Sequence, residues 1–83
     1  PAEARYAGGD AAAVYAKLQA IARELRAKSD YVGPKFAEEA RRIHYGESEK
    51  RQIYGEASPQ QVKSLGEEGI VALPLPPLPE DKN

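Results

Sequence analysis

The sequence predicts an all-α fold, a small irregular bundle of about three helices with a proline-rich extended C-terminal tail. Three observations predict it. Residues 11–28 carry large aliphatic side chains at helical spacing, residues 58–61 spell a complete helix-start signal, and residues 71–83 (VALPLPPLPEDKN) contain four prolines that exclude both helix and central strand. The chain divides accordingly into a linker at 1–9, a helical domain at 10–70 and the extended tail at 71–83.

The linker, PAEARYAGG, has little to bury. Asp10 stands where a side-chain oxygen can cap the free amides of a first turn. From 11 to 28 the run AAAVYAKLQAIARELRAK is rich in strong helix formers. Val14, Leu18, Ile21 and Leu25 share one face, and Glu24 and Lys28 stand at the i, i+4 spacing of a weak ion pair. The expected destination of this stripe is the chain's own core; the alternative is a seam for a partner helix.

The segment 29–33 (SDYVG) breaks the pattern, and Gly33-Pro34 suits the start of a second helix over 34–45. Phe36, Ala40 and Ile43 are expected inward. Glu38 and Glu39 precede Arg41 and Arg42 by helical steps, so the outer face reads as solvated and laced with ion pairs. Gly46 is placed to end the helix in a left-handed conformation. The phrase Ile43-His44-Tyr45-Gly46-Glu47 then returns as Ile53-Tyr54-Gly55-Glu56. Each copy is expected to set an apolar anchor and a ring before a glycine turn, pinning the polar connector between them to one core.

For the third helix, Ser58-Pro59-Gln60-Gln61 gives a capping box with proline at the first position. Val62 and Leu65 are expected inward, Gly66 to mark a close backbone contact, and Gly69 to end the helix with Ile70 folding back on Leu65. In the tail, polyproline II is the favoured geometry. Leu73, Leu75 and Leu78 are expected to strap the helices, with a partner groove as the alternative.

Composition narrows the function classes. The formal charge is −1, with acids and bases interspersed, and no basic face announces nucleic acid. No apolar run approaches the ~20 residues that cross a bilayer. There is no cysteine for a disulfide or a thiolate zinc site. No Gly-x-Ser-x-Gly elbow or phosphate-binding glycine loop appears. A single core of this size rarely supplies more than about 3–5 kcal/mol of net stability. A chain so short of apolar side chains is expected to be a marginally stable monomer, or to complete its core against another protein or another copy of itself.

The phrases SDYVGPKFAEEARRIHYGE, IYGEASPQQVKSLGEEGI and LPLPPLPEDKN resemble the C-terminal half of a bacterial family, domain of unknown function 1178. The resemblance spans 31–83, and His44, Tyr45, Gly46, Glu47, Arg51, Tyr54, Gly55 and Glu56 match the family's characteristic phrase. These eight are the candidate interaction or ligand site. The resemblance implies a cytoplasmic protein, typical of proteobacteria, whose full-length members carry a short zinc ribbon ahead of a linker and this helical region. Zinc is expected only in that ribbon, which this stretch lacks, and no residue here is assigned a metal, a cofactor or a catalytic role. On that reading the chain is a fragment: an interaction or oligomerisation module of a regulatory zinc-ribbon protein, or an accessory subunit of a larger assembly. A different class of function, a small hydrolase or metal-dependent enzyme, would use His44, Glu47 and Glu56. A third, RNA or ribosome association, would act through the missing head with Arg41, Arg42, Lys50 and Arg51 assisting.

Overall fold

The computed structural model describes residues 4–5 and 7–81. The expected linker and tail therefore fall partly outside the described residues, at 1–3, 6 and 82–83. Three helices form in the predicted places: α1 (Ala11–Ala27), α2 (Phe36–His44) and α3 (Pro59–Glu67). The sequence missed two short strands, β1 (Asp30–Gly33) and β2 (Ile53–Gly55), which pair in parallel. The fold is thus helical and bundle-like but not purely α. The Asp30–Gly33 segment read as a break is β1, and the second Tyr-Gly-Glu phrase lies along β2 rather than at a turn.

Parallel strands cannot be joined by a tight hairpin and need a crossover, which α2 and the connector after it provide. The register sets Asp30 against Ile53, Tyr31 against Tyr54 and Gly33 against Gly55, with a bulge between Tyr31 and Gly33. The glycine pair is obligatory. A Cβ built on Gly55 would collide with the Gly33 carbonyl oxygen and stand 3.0 Å from the Gly33 nitrogen. The close backbone approach expected at Gly66 is found here instead: nothing lies within 4 Å of a Cβ placed on Gly66.

The caps follow the sequence. Asp10 accepts from the Ala13 amide at 3.1 Å. The α2 start is less well marked, since Pro34 and Lys35 form a turn and the helix opens at Phe36 without a side-chain cap. In α3 the box is complete: Ser58 Oγ accepts from the Gln61 amide, and the Gln61 side chain accepts from the Ser58 amide. After α3 the Ile70 amide donates to the Leu65 carbonyl at 2.9 Å, the expected fold-back.

The core is small. Ala37, Ala40 and the fully buried Leu65 form its centre, with Phe36, Ile53, Ile70 and Ala72 packed around them. Ile43 and Ile53 are both half-buried, but only Ile53, in the second copy of the repeated phrase, packs against this core. Val62, expected inward, is 38% exposed. α2 lies against α3 and both strands, and α1 stands outside that cluster.

The largest departure concerns α1. Val14, Leu18, Ile21 and Leu25 are 41–52% exposed, so the stripe does not enter the chain's own core. α1 buries Ala22 instead, on a face turned about a quarter-turn from the stripe. That face meets the tail, where Arg23 pairs with Glu80 and Arg26 with Asp81. The expected strap is therefore partial. Leu78 is buried and Leu75 half-buried, a short 3-10 turn (Pro79–Asp81) closes the described tail, but Leu73 is 79% and Val71 80% exposed.

Candidate functional site

Seven of the eight candidate residues fall into three groups, each tied into the fold by its own partners, while Glu47 stands apart with only its backbone amide donating to the Arg42 carbonyl at 2.7 Å. The first sits where α2 ends. Gly46 takes φ +79°, the left-handed conformation a glycine accepts without a Cβ clash, and turns the chain out of α2. His44 and Tyr45 beside it are exposed and pack edge to face with ring centres 4.9 Å apart. The Tyr45 hydroxyl donates to Glu68 Oε1 at 2.9 Å, and Arg41 Nε donates to Glu68 Oε2 at 2.8 Å. Arg41 also donates to Ser64 Oγ, so one carboxylate joins the ends of α2 and α3. Arg41 and then Tyr45 hold the Glu68 carboxyl below its ordinary range, and Glu68 in turn raises the Tyr45 phenol.

The second group is Arg51 and its partners. Its guanidinium donates to Asp30 Oδ2 at 3.0 Å, Ser48 Oγ at 3.0 Å and Glu39 Oε2 at 3.2 Å. Glu39 also accepts from Arg42 at 2.7 Å. Arg42 first and Arg51 second keep the Glu39 carboxyl below its ordinary range. The planar, five-donor fork of arginine suits this bridging. It fixes the polar connector to α2 and to the start of β1. The ion-pair face expected on α2 is thereby divided: Glu39 serves Arg42 and Arg51, while Arg41 serves α3.

Tyr54, Gly55 and Glu56 make the third group, on the wall of an open groove that continues to Leu25, Val62, Val71 and Leu73. Tyr31 and Tyr54, neighbours across the strands, stack at 5.1 Å with planes tilted by 46°. The Arg26 guanidinium lies 5.8 Å from the Tyr54 ring centre, within cation–π range. The Tyr31 oxygen sits 2.9 and 2.7 Å from the two Glu56 carboxylate oxygens and donates its proton to that group. This hydrogen bond, with desolvation second, raises the Tyr31 phenol above its ordinary value.

His44, Glu47 and Glu56 do not share a concavity. Glu56 lines the groove beside β2, Glu47 lines a shallower hollow with Tyr45 and Arg42, and His44 lines neither. Among the described residues no three His, Cys, Asp or Glu side chains gather so as to hold a metal ion, and no helix is long and apolar enough to cross a membrane.

What sequence reasoning missed are the partners that give the phrase its geometry: Arg26, Tyr31, Glu39 and Glu68. Two of them had a signal: Glu39 stands one helical step before Arg42, although its second partner Arg51 was not foreseen, and a second tyrosine in a β-prone dipeptide, Tyr31-Val32, is what a partner for Ile53-Tyr54 would look like. The second feature of functional interest is the exposed α1 stripe, whose residues the sequence did single out. Its C-terminal member, Leu25, lines the groove beside β2, so stripe and groove form one apolar surface.

Comparison with known proteins finds no matching curated protein and no matching solved structure. The sequence pattern of one family, described as protein of unknown function (DUF1178), matches residues 1–80, and therefore covers α1 and the segment before it as well as the stretch from 31 onward that carries the resemblance. A match over nearly the whole length, on top of the characteristic phrase around β2, places the chain in that family: it belongs to the proteins of unknown function DUF1178.

Proposed function

We propose that this chain is a protein-docking module, in which the core of α2, α3 and the strand pair carries α1 as a presented helix. The observation that supports this most directly is the exposure of Val14, Leu18, Ile21 and Leu25, each 41–52% open to solvent on a helix that stands outside the core. A surface helix normally turns its apolar stripe toward the protein. Here the helix turns Ala22 inward and leaves the larger side chains out, although the chain buries only five hydrophobic residues among those described. Leaving four aliphatic side chains half in water forgoes roughly 1 kcal/mol or more for each, which a partner surface would recover. The ion pairs of Arg23 and Arg26 with the tail hold the helix in that presentation. The phrase around Tyr45 and Tyr54 serves the scaffold: the Tyr45 hydroxyl is taken up by Glu68, the Arg51 guanidinium by Glu39 and Asp30, and the Glu56 carboxylate by Tyr31. In a full-length protein headed by a zinc ribbon, the ribbon would supply recognition and this region assembly.

A photo-crosslinking residue placed at Ile21, in the protein expressed in a bacterial cell, tests the reading. A discrete protein adduct at Ile21, absent when the same residue is placed at the exposed Lys63 of α3 and lost when Leu18 is changed to Gln, is the expected result. No adduct, or the same adducts from both positions, would overturn it.

A further inference from the structure

The docking reading leaves the occupant of the stripe open, and the residues flanking it select one. We propose that α1 pairs with α1 of a second copy of this chain, antiparallel, about a two-fold axis that passes between Leu18 and Ile21. The inference rests on the docking reading and adds the partner.

Val14, Leu18, Ile21 and Leu25 follow one another at intervals of four, three and four, the spacing of a helix–helix seam, with Ala11 and Lys28 continuing it at either end. The two long sides of this seam differ. On one side the tail is already in place: Ala22 is fully buried there and Arg23 and Arg26 pair with Glu80 and Asp81. On the other side stand Lys17 and Glu24, seven residues and about two turns apart, both exposed. A second helix can therefore approach the stripe only with Lys17 and Glu24 along its margin.

An antiparallel partner sets Leu18 level with Ile21 of the partner subunit and Val14 level with Leu25 of the partner subunit. The same rotation brings Lys17 opposite Glu24 of the partner subunit, and by symmetry Glu24 opposite Lys17 of the partner subunit. Each of these pairs joins opposite charges. Glu24 shares its carboxylate with Lys28 of its own helix, 3.0 Å away, and still has an open side. A parallel partner would set Lys28 on Lys28 at the end of the seam, like charge beside like, and would face Lys17 with Ala22 of the partner subunit instead of with an acid. Antiparallel pairing instead sets Lys28 level with the small Ala11, and it opposes the two helix dipoles favourably. It also carries the partner's Val14 to the Leu25 end of the stripe, where the apolar surface runs on toward Val71 and Leu73. A seam this short, about two and a half heptads, gives a reversible dimer rather than an obligate one.

Sedimentation equilibrium of the purified chain tests the pairing, with Lys17→Glu and Glu24→Lys made singly and then mixed. The wild type is expected to dimerise with rising concentration. Each single reversal sets two like-charged pairs across the seam and should raise the dissociation constant about tenfold. An equimolar mixture of the two variants restores both opposite-charge pairs and should recover wild-type association, which a merely misfolded variant could not do. As the chain has no cysteine, Leu18→Cys mixed with Ile21→Cys should form a crosslinked heterodimer faster than either variant crosslinks with itself. A wild type that stays monomeric at submillimolar concentration, or a dimer indifferent to the reversals, overturns the pairing. If Ile21 still crosslinks to another protein in cells, docking stands with a different occupant; if it does not, both readings fall.

Discussion

Arg26 and Asp81 meet through two parallel contacts, Nη1 to Oδ1 at 2.8 Å and Nη2 to Oδ2 at 3.1 Å, joining α1 to a segment 55 residues away in sequence. The same carboxylate accepts the Leu78 amide at 2.9 Å, so one group both grips the helix and closes the turn behind the buried Leu78. Single ion pairs at a surface contribute little. This one is bidentate and tied to a backbone amide, and it is positioned where the tail would otherwise leave α1.

The pH dependence of that link is the first prediction. The Arg26 hydrogen bond, then the Leu78 amide, hold the Asp81 carboxyl down at about 2. A carboxylate whose folded value is depressed contributes stability that is present above its unfolded value and lost as pH falls through the folded one. The tail contact should therefore be intact above about pH 4 and released between about pH 4 and 2. In NMR spectra the Leu78 amide should shift and lose its protection over that window. Asp81→Asn should produce the released spectrum at neutral pH; an unchanged Leu78 resonance in that variant would refute the link.

A second prediction separates two glycines that look alike in the sequence. Gly55→Ala forces a methyl group onto the Gly33 backbone and should destabilise the fold by about 2–3 kcal/mol or prevent it, since neither strand can retreat without losing the pairing. Gly66→Ala meets nothing within 4 Å inside α3 and should stabilise by up to about 1 kcal/mol. Thermal melts of the two variants should move in opposite directions.

These glycines also mark how far the sequence could be read. The helices were legible because their signals are local: Asp10, Ser58 with Gln61, and Gly46 each act within one turn. The strands were not, because four and three residues cannot show alternation and their pairing joins segments separated by all of α2. The repeated phrase misled for the same reason. Tyr45-Gly46 ends a helix, with Gly46 at φ +79°, while Tyr54-Gly55 lies in a strand, and only long-range contacts distinguish them. The α1 stripe was legible as a stripe. Its destination was not, since the position of the tail decides which face of α1 is buried.

A third prediction concerns the alkaline range. Glu56 raises the Tyr31 phenol and Glu68 the Tyr45 phenol, in each case by accepting the proton that ionisation would remove. A raised folded value contributes stability that is complete below the ordinary tyrosine range and lost as pH climbs through the folded value. Ultraviolet titration should accordingly show tyrosinate forming late at these two positions, above pH of about 10. Glu56→Gln should bring Tyr31 back toward the ordinary value and leave Tyr45 unmoved, because Tyr45 has its own carboxylate. If Glu56→Gln leaves the titration curve unaltered, the Tyr31 hydroxyl does not depend on that residue.

The fourth prediction weighs the core against the exposed leucines. Among the described residues Leu65 is the one large side chain fully closed from solvent, at the centre of Ala37, Ala40, Phe36, Ile53 and Ile70. Truncating a buried leucine to alanine costs about 2–5 kcal/mol, which is as large as the roughly 3–5 kcal/mol of net stability a domain of this size can reach. Leu65→Ala should therefore leave the chain largely unfolded at room temperature by circular dichroism. Leu73→Ala removes the same atoms from a site 79% exposed and should shift the melting free energy by no more than about 0.5 kcal/mol. Leu78→Ala tests a different unit. Leu78 is buried on the tail beside the ions that grip α1 and lies outside the cluster around Leu65. Its loss should release the tail and loosen α1 while the amides of α2, α3 and the strands keep their protection in hydrogen exchange. Equal loss of protection in both units would mean that α1 and the tail are integral to the core rather than carried by it.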